Sequence, residues 1–232
     1  MVNRDLEFYM EYMQNEEFFI HFSPEELNEI ENNAVIHQYR KGQILFFQSD
    51  PKIFVYYLLK GLVKLERSDS SGDLLYVDYV SSHSFFPYTS LYNDEGYMYN
   101  CYAATDIDIL LIPIKLMEKL IRNNPDQMLY MFKKTAQTVT FLEKRIQVTA
   151  ISSAKERVEH MLGLWKYDMA RPVAEGEIIQ YPLTINELAI VSGTTRETAG
   201  KVVRDLTQEG KLKFTRKAIY YYNLDFFNMM IE

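Results

Sequence analysis

Cysteine is nearly absent from this chain. Cys101 is the only one in 232 residues, so no intrachain disulfide can form and no cysteine-ligated cluster can be held within one chain. Histidine is sparse: His21, His37, His83 and His160 are scattered, with no H-x-H or paired His/Glu spacing between Ala34 and Pro113. A metal enzyme built on a small β-barrel needs such a cluster, so that class is disfavoured and no metal or cofactor is expected. No run approaches the ~20 apolar residues of a membrane span. The first residues carry Asp5, Glu7 and Glu11, unlike a secretory signal, and the expectation is a cytoplasmic protein with no membrane partner. There is no internal repeat and no low-complexity linker.

Net positive charge is also lacking. The whole chain carries −7, which by itself argues weakly against nucleic acid. The distribution reverses that argument. All of the excess acid lies in residues 1–150, and residues 151–232 are balanced. Between Thr194 and Lys217, Arg196, Lys201, Arg204, Lys211, Lys213, Arg216 and Lys217 are opposed only by Glu197, Asp205 and Glu209. A local basic patch on an acidic protein is what phosphate contact requires, and a solvated charged face is the alternative.

What is present begins with a long amphipathic stretch. Met128, Phe132, Thr135, Val139, Leu142, Ile146 and Thr149 are spaced 4, 3, 4, 3, 4, 3 within Pro125–Ser152, with no internal Pro or Gly. That is an a/d heptad seam, and it predicts a helix that pairs with a second copy of itself. Lys133, Lys134, Glu143, Lys144 and Arg145 fall off the seam. The alternative is a core helix of a single domain.

The chain before this helix changes texture. Leu6–Phe19 fits one or two short helices, and Ser23-Pro24-Glu25-Glu26 is a capping box that starts a helix over 24–32. From Ala34 to Pro113 short apolar runs are cut by turn signals: Arg40-Lys41-Gly42, Ser49-Asp50-Pro51, Lys60-Gly61, Asp69-Ser70-Ser71-Gly72 and Asn93-Asp94-Glu95-Gly96. Strands are expected at Val35–Tyr39, Gln43–Phe47, Phe54–Lys60, Leu62–Ser68, Leu74–Val80 and, broken somewhere, Tyr97–Ile112, giving a sandwich or rolled barrel. Ile114–Asn123 reads as a short helix.

After the long stretch, Ser153–Met169 reads as a helix and Arg171–Pro182 as a loop or hairpin. Thr184-Ile185-Asn186-Glu187 is a second capping box opening Ile185–Val191. Ser192-Gly193-Thr194 is a tight turn, and Thr195 can cap Arg196–Gln208. On that last helix Ala199, Val202, Val203 and Leu206 face in, while Arg196, Glu197, Gly200, Lys201 and Arg204 face out. Gly210 ends it. Lys211–Thr215 and Ala218–Tyr222 fit a two-stranded wing with Arg216 and Lys217 at the tip. This is a winged helix-turn-helix pattern. Arg196 can grip a guanine through O6 and N7, Glu197 can accept from a cytosine amino group, and Lys201 can reach a base or phosphate. Thr184, Thr195, Lys213, Arg216 and Lys217 suit phosphates, as does Arg204 on the outward face. A helical hairpin with a charged face, or one that contacts protein rather than DNA, is the rival reading.

Thr195-Arg196-Glu197-Thr198-Ala199-Gly200-Lys201-Val202 resembles the recognition-helix signature of the CRP/FNR transcription factors, S/T-R-E-T-x-[AG]-R. Lys41–Phe46, Tyr57–Lys64, Ser71-Gly72-Asp73 and Ser84-Phe85-Phe86 resemble the turns of that family's double-stranded β-roll. The resemblance runs from about Phe19 to Tyr222. It implies an α+β chain: an N-terminal β-roll of cyclic-nucleotide-binding type (1–124), a dimerisation helix (125–152) and a C-terminal winged helix-turn-helix (153–232). It also implies a homodimer on a near-palindromic operator in double-stranded DNA, RNA polymerase as a partner, and Arg196, Glu197 and Lys201 as base readers. Lys201 stands where the family has Arg, so the bidentate fork is lost there.

The family's nucleotide-binding members carry F-G-E-[IL]-A and then R-[ST]-A. This chain has Phe86-Pro87-Tyr88-Thr89-Ser90 and Tyr97-Met98 instead, without the carboxylate or the cation, so cyclic AMP is not expected to bind. Phe86, Tyr88, Tyr97 and Tyr99 form a candidate apolar effector pocket, with packing of the roll as the alternative. Pro87-Tyr88 and the recognition helix are most similar to the ArcR-like branch of low-GC Gram-positive bacteria, which implies arginine-deiminase or other metabolic genes as targets.

Overall fold

The computed structural model describes residues 13–71, 74–92 and 96–231. The part of the expected N-terminal helices that falls on residues 6–12, and parts of two expected turns (Gly72-Asp73 and Asn93–Glu95), lie outside them. The chain divides into two compact units, 1–136 and 137–232.

The first unit is a roll of two four-stranded antiparallel sheets. Its described residues begin at Met13, which is helical, followed by consecutive turns and bends from Gln14 to Phe22, where the sequence suggests helix as far as Phe19. Then come α1 (Pro24–Asn33), β1 (Val35–Tyr39), β2 (Ile44–Phe46), β3 (Phe54–Lys60), β4 (Leu62–Ser68), β5 (Leu74–Ser81), β6 (Ser84–Phe86), a single 3₁₀ turn at Tyr88–Ser90, β7 (Asn100–Ala103), β8 (Ile107–Pro113) and α2 (Ile114–Asn123). One sheet has the order β1-β8-β3-β6 and the other β2-β7-β4-β5. The Ser23 hydroxyl accepts from the Glu26 amide while the Glu26 carboxylate accepts from the Ser23 amide, so the first capping box is complete. The segment expected as one broken strand is two, β7 and β8, which pair in different sheets. Strand β6 carries no period of its own: its three residues pair with β3, and only tertiary structure makes them a strand.

Strand β3 shows how the core is built. Successive side chains point to opposite faces, and both faces are covered, which is why Phe54–Leu59 reads as an unbroken apolar run. Val55, Tyr57 and Leu59 join one core with Phe18, Phe19, Phe85, Ile121 and Met131. Tyr56 and Leu58 join the other, between the sheets, with Phe46, Val63, Phe86, Tyr97, Cys101 and Ile109. The tight β3–β4 turn depends on Gly61, which has φ +95° and where a Cβ would fall 2.6 Å from the Asp106 carbonyl oxygen.

The long helix α3 (Pro125–Ala150) has its first residues in the first unit and those from Gln137 in the second. In the second unit follow α4 (Ala154–Met169), β9 (Arg171–Val173), β10 (Gly176–Ile179), α5 (Ile185–Val191), α6 (Arg196–Gln208), β11 (Leu212–Phe214), β12 (Ile219–Tyr221) and α7 (Leu224–Met229). The expected wing is half of a four-stranded sheet, β11-β12-β10-β9, because β10 pairs with β12. Helix α7, capped by the Asn223 side chain, has no counterpart in the sequence reading. Phe227 from it meets Tyr221 edge to face, and the Tyr221 hydroxyl donates to the Leu162 carbonyl at 3.0 Å. Burial pushes that phenol well above its ordinary range.

Candidate nucleic-acid interface

Helices α5 and α6 are set by their caps. The Glu187 amide donates to Thr184 Oγ1 and the Thr184 amide donates to Glu187 Oε2 at 2.7 Å. The Thr184 hydroxyl also donates to that carboxylate at 2.8 Å, so the capping box already uses it. At α6, Thr195 Oγ1 accepts from the Thr198 amide at 3.2 Å and lies 3.1 Å from the Thr198 hydroxyl. The turn between the helices passes through Gly193 at φ +57°. Ala199, Val202, Val203 and Leu206 are buried and fix which way α6 faces. Arg196, Glu197, Lys201 and Arg204 are therefore exposed together, on one long face of a helix capped at its start.

These cations are uncommitted. Among the described residues, Arg196, Lys201, Arg204, Lys213, Arg216 and Lys217 form no salt bridge. The structure separates them from Lys211, whose ammonium lies 2.6 Å from Glu209 and 3.9 Å from the centre of the Phe226 ring. Lys211 belongs to the architecture, although the sequence counts it in the same basic patch. Arg216 and Lys217 occupy the exposed tip of the β11–β12 hairpin, where Thr215 closes the turn through hydrogen bonds with Lys217 and Ala218. Tyr220, absent from the sequence-based set, pairs with Lys213 across the hairpin, its ring centre 5.9 Å from the ammonium. Alternation along Ala218–Tyr222 was the available signal, since buried Tyr221 puts Tyr220 on the other face. Between α5 and α6 a groove of about 380 Å³ is lined by Ile185, Arg196, Glu197, Gly200, Val203 and Arg204.

The predicted seam residues lie along α3. Phe132 is 70% exposed, Ile146 68%, Val139 49% and Met128 39%, and Thr135 and Thr149 are also exposed, with Leu142 half-buried. The helix buries Met131 and Val148, from different positions of the heptad. From Phe132 to Thr140 the helix is exposed almost all round, Lys134 alone being half-buried, and Leu129 off the seam is 51% exposed, so the apolar side chains of α3 lie uncovered rather than in a core.

The four candidate effector residues do not converge. Phe86, Tyr97 and Tyr99 pack in the core between the sheets, and Tyr88 packs in the other core, its ring 5.6 Å from Phe85. Phe46 stacks on Tyr97 at 3.8 Å, and the Tyr97 hydroxyl donates to the Phe54 carbonyl at 2.7 Å. Burial pushes the phenols of Tyr97 and Tyr99 up, and that of Tyr88 up to about 12. Cys101 is fully buried in the same core, and burial raises its thiol well above the usual value, so it is not a reactive thiolate. Among the described residues no group of His, Cys, Asp and Glu could hold a metal ion, and no helix is long and apolar enough to cross a membrane.

Comparison with known proteins agrees with this geometry. The model of the cyclic nucleotide-binding domain family matches residues 36–124. A global nitrogen regulator of Nostoc sp. is 28% identical over 187 residues, covering 80% of this chain and 84% of that protein. The HTH-type transcriptional regulator ArcR of Staphylococcus haemolyticus is 29% identical over 181 residues, covering 78% and 79%. Identities this close do not favour one branch over the other. Among solved structures, FixK2 from Bradyrhizobium japonicum superposes with a TM-score of 0.72 at 19% identity, covering 86% of this chain and 98% of that one. A CooA mutant from Carboxydothermus hydrogenoformans gives 0.69 at 18%, covering 96% and 94%. The structures share the fold and the sequence relatives are regulators rather than enzymes. With a cyclic-nucleotide-binding-type roll, a long helix and a winged helix-turn-helix in one chain, this protein is similar over most of its length to transcription regulators of the CRP/FNR type.

Proposed function

We propose that the chain acts as a homodimer that reads a near-palindromic operator, with α6 in the major groove of each half-site and the wing on the phosphates. The observation that carries this reading is the set of six exposed cations on α6 and the wing that no carboxylate neutralises. Arg196, in the first turn of α6, is the reader of a G·C pair, with Glu197 and Lys201 beside it. Thr195, Arg204, Lys213, Arg216 and Lys217 hold phosphates, and Thr184 does so only by giving up its bond to Glu187. The second copy is held by the stripe Met128, Phe132, Thr135, Val139, Leu142, Ile146 and Thr149, exposed except for half-buried Leu142. A dimer of this kind places two recognition helices about one helical turn of DNA apart, roughly 34 Å.

The roll of this regulator is not a cyclic AMP receptor. Tyr88 and Tyr97 stand where a carboxylate and a cation are needed; Tyr97 is buried among core aromatics and Tyr88 is half-buried against the other core. The test is binding selection from random DNA with the full chain, followed by affinity measurements at two salt concentrations. Selection of a two-fold symmetric motif, with affinity falling steeply as salt rises, is the expected result. Binding without sequence preference, or no binding, would favour the protein-contact reading of the helix-turn-helix.

A further inference from the structure

Arg157 stands in an unfavourable place. It is the fourth residue of α4, in the turn where the helix dipole repels a cation. Its guanidinium makes four hydrogen bonds, all to main-chain carbonyls. Nη1 donates to Ile151 at 2.9 Å and to Ser152 at 3.1 Å. Nε donates to Ser192 at 2.9 Å and Nη2 to Gly193 at 3.0 Å. The first pair of acceptors lies just past the C-terminus of α3. The second pair lies just past the C-terminus of α5, in the turn that launches α6. Carbonyls at helix ends lack intrahelical donors and carry partial negative charge, so one planar fork satisfies two helix ends at once.

We infer that Arg157 is a positioning residue that ties the end of the dimer helix to the turn of the helix-turn-helix, and so sets the half-site spacing the dimer accepts. This rests on the dimeric DNA-binding reading above. Val139, Leu142, Ile146 and Thr149 fix α3 against its copy, and Thr195 and the buried face of α6 fix the recognition helix against its turn. Between these lie Ile151, Ser152 and Ser153, which belong to no helix. Arg157 bridges that gap. A lysine cannot reproduce the bridge, because an ammonium offers three donors from one point and not a fork that spans two helix ends.

The experiment uses the full-length chain, the motif selected by the wild type, and probes with one base pair added or removed between the half-sites. One base pair turns a half-site by about 34°. The wild type is expected to lose about tenfold or more in affinity on each altered probe. Arg157→Lys and Arg157→Gln are expected to narrow that penalty to about threefold or less while selecting the same half-site bases. A variant that merely destabilises the domain would lower the active fraction and leave both preferences intact. If the folded variants keep the wild-type spacing penalty, or if Lys restores it where Gln does not, the clamp is refuted. Should Arg157→Gln fail to fold, Arg157→Lys decides alone. A wild type that selects no symmetric site refutes the dimeric reading itself, an outcome distinct from failure of the clamp.

Discussion

Arg196 and Lys217 are both exposed and form no salt bridge, and the proposed function gives them different work. Arg196 lies in the first turn of α6, where side chains reach base edges, and a bidentate contact to guanine discriminates by about 1–3 kcal/mol. Arg196→Ala should weaken specific binding and relax preference at one symmetric position of the selected motif. Lys217→Ala, at the wing tip, should weaken all sequences alike and lower the salt slope by about one unit. Binding selection on both variants at two salt concentrations separates the roles; an unchanged motif in Arg196→Ala would make Arg196 a phosphate contact. Gly200 offers a stability test on the same helix. A Cβ there would lie 3.7 Å from Ile185 Cγ2, an ordinary contact, and nothing in the backbone demands glycine. Gly200→Ala should therefore stabilise the chain by about 0.5–1 kcal/mol, read as a higher denaturant midpoint with an unchanged slope.

At the scale of the element, α3 presents its apolar stripe to solvent and α4 buries a charge. Replacing Val139 and Leu142 together with Asp would place carboxylates in the seam, at a cost of several kcal/mol to the paired state. Sedimentation should show the double variant as monomer, with operator binding lost; a double variant that stays dimeric would place the interface elsewhere. On α4, burial raises the pKa of Glu159, with Lys155 at 3.7 Å and the charge of Lys211 opposing the shift only in part. A carboxyl whose folded pKa is raised contributes most to stability below its unfolded value near 4.5, and that contribution is lost as pH rises through the folded pKa. At pH 7 the charged form is the costly one. Glu159→Gln should melt about 1–3 °C higher than wild type at pH 7, and the difference should vanish below pH 4. A lower melting temperature at pH 7 would mean that the ion pair with Lys155 outweighs desolvation.

The whole molecule unites a roll of cyclic-nucleotide-binding type with a winged helix-turn-helix, and aromatic side chains fill the space between the sheets of the roll. Phe46, Tyr56, Phe86 and Tyr97 stack between the sheets, and Tyr56 and Tyr97 bring their hydroxyls within 3.4 Å. Calorimetry with cyclic AMP should show no saturable heat, and operator affinity should not change on its addition. Micromolar binding would mean that the packing around Tyr88 in one core and Tyr97 in the other opens to admit a phosphate.

Much of this was legible in the sequence because the signals are local. The boxes Ser23–Glu26 and Thr184–Glu187, the Thr195 cap and the residues of α6 that face inward each depend on neighbours within one or two turns, and all stand as the spacing implies. Strands β3 and β4 carry their own apolar runs and turn glycine, and their bounds in the structure match those expected. The long helix itself was legible too, since an apolar 3.5-residue spacing with no Pro or Gly inside it is a property of the local sequence alone. Tertiary structure decided what depends on partners distant in the chain. Strand β6 exists because β3 offers it an edge, and α7 because Tyr221 gives Phe227 a ring to pack against. Tyr88 was separated from Tyr97 by the alternation of faces across Phe85-Phe86, which sends neighbouring side chains into different cores. Arg157 reads in the sequence as one more surface cation near a helix start; only folding brings four carbonyls from two helix ends within reach of its guanidinium.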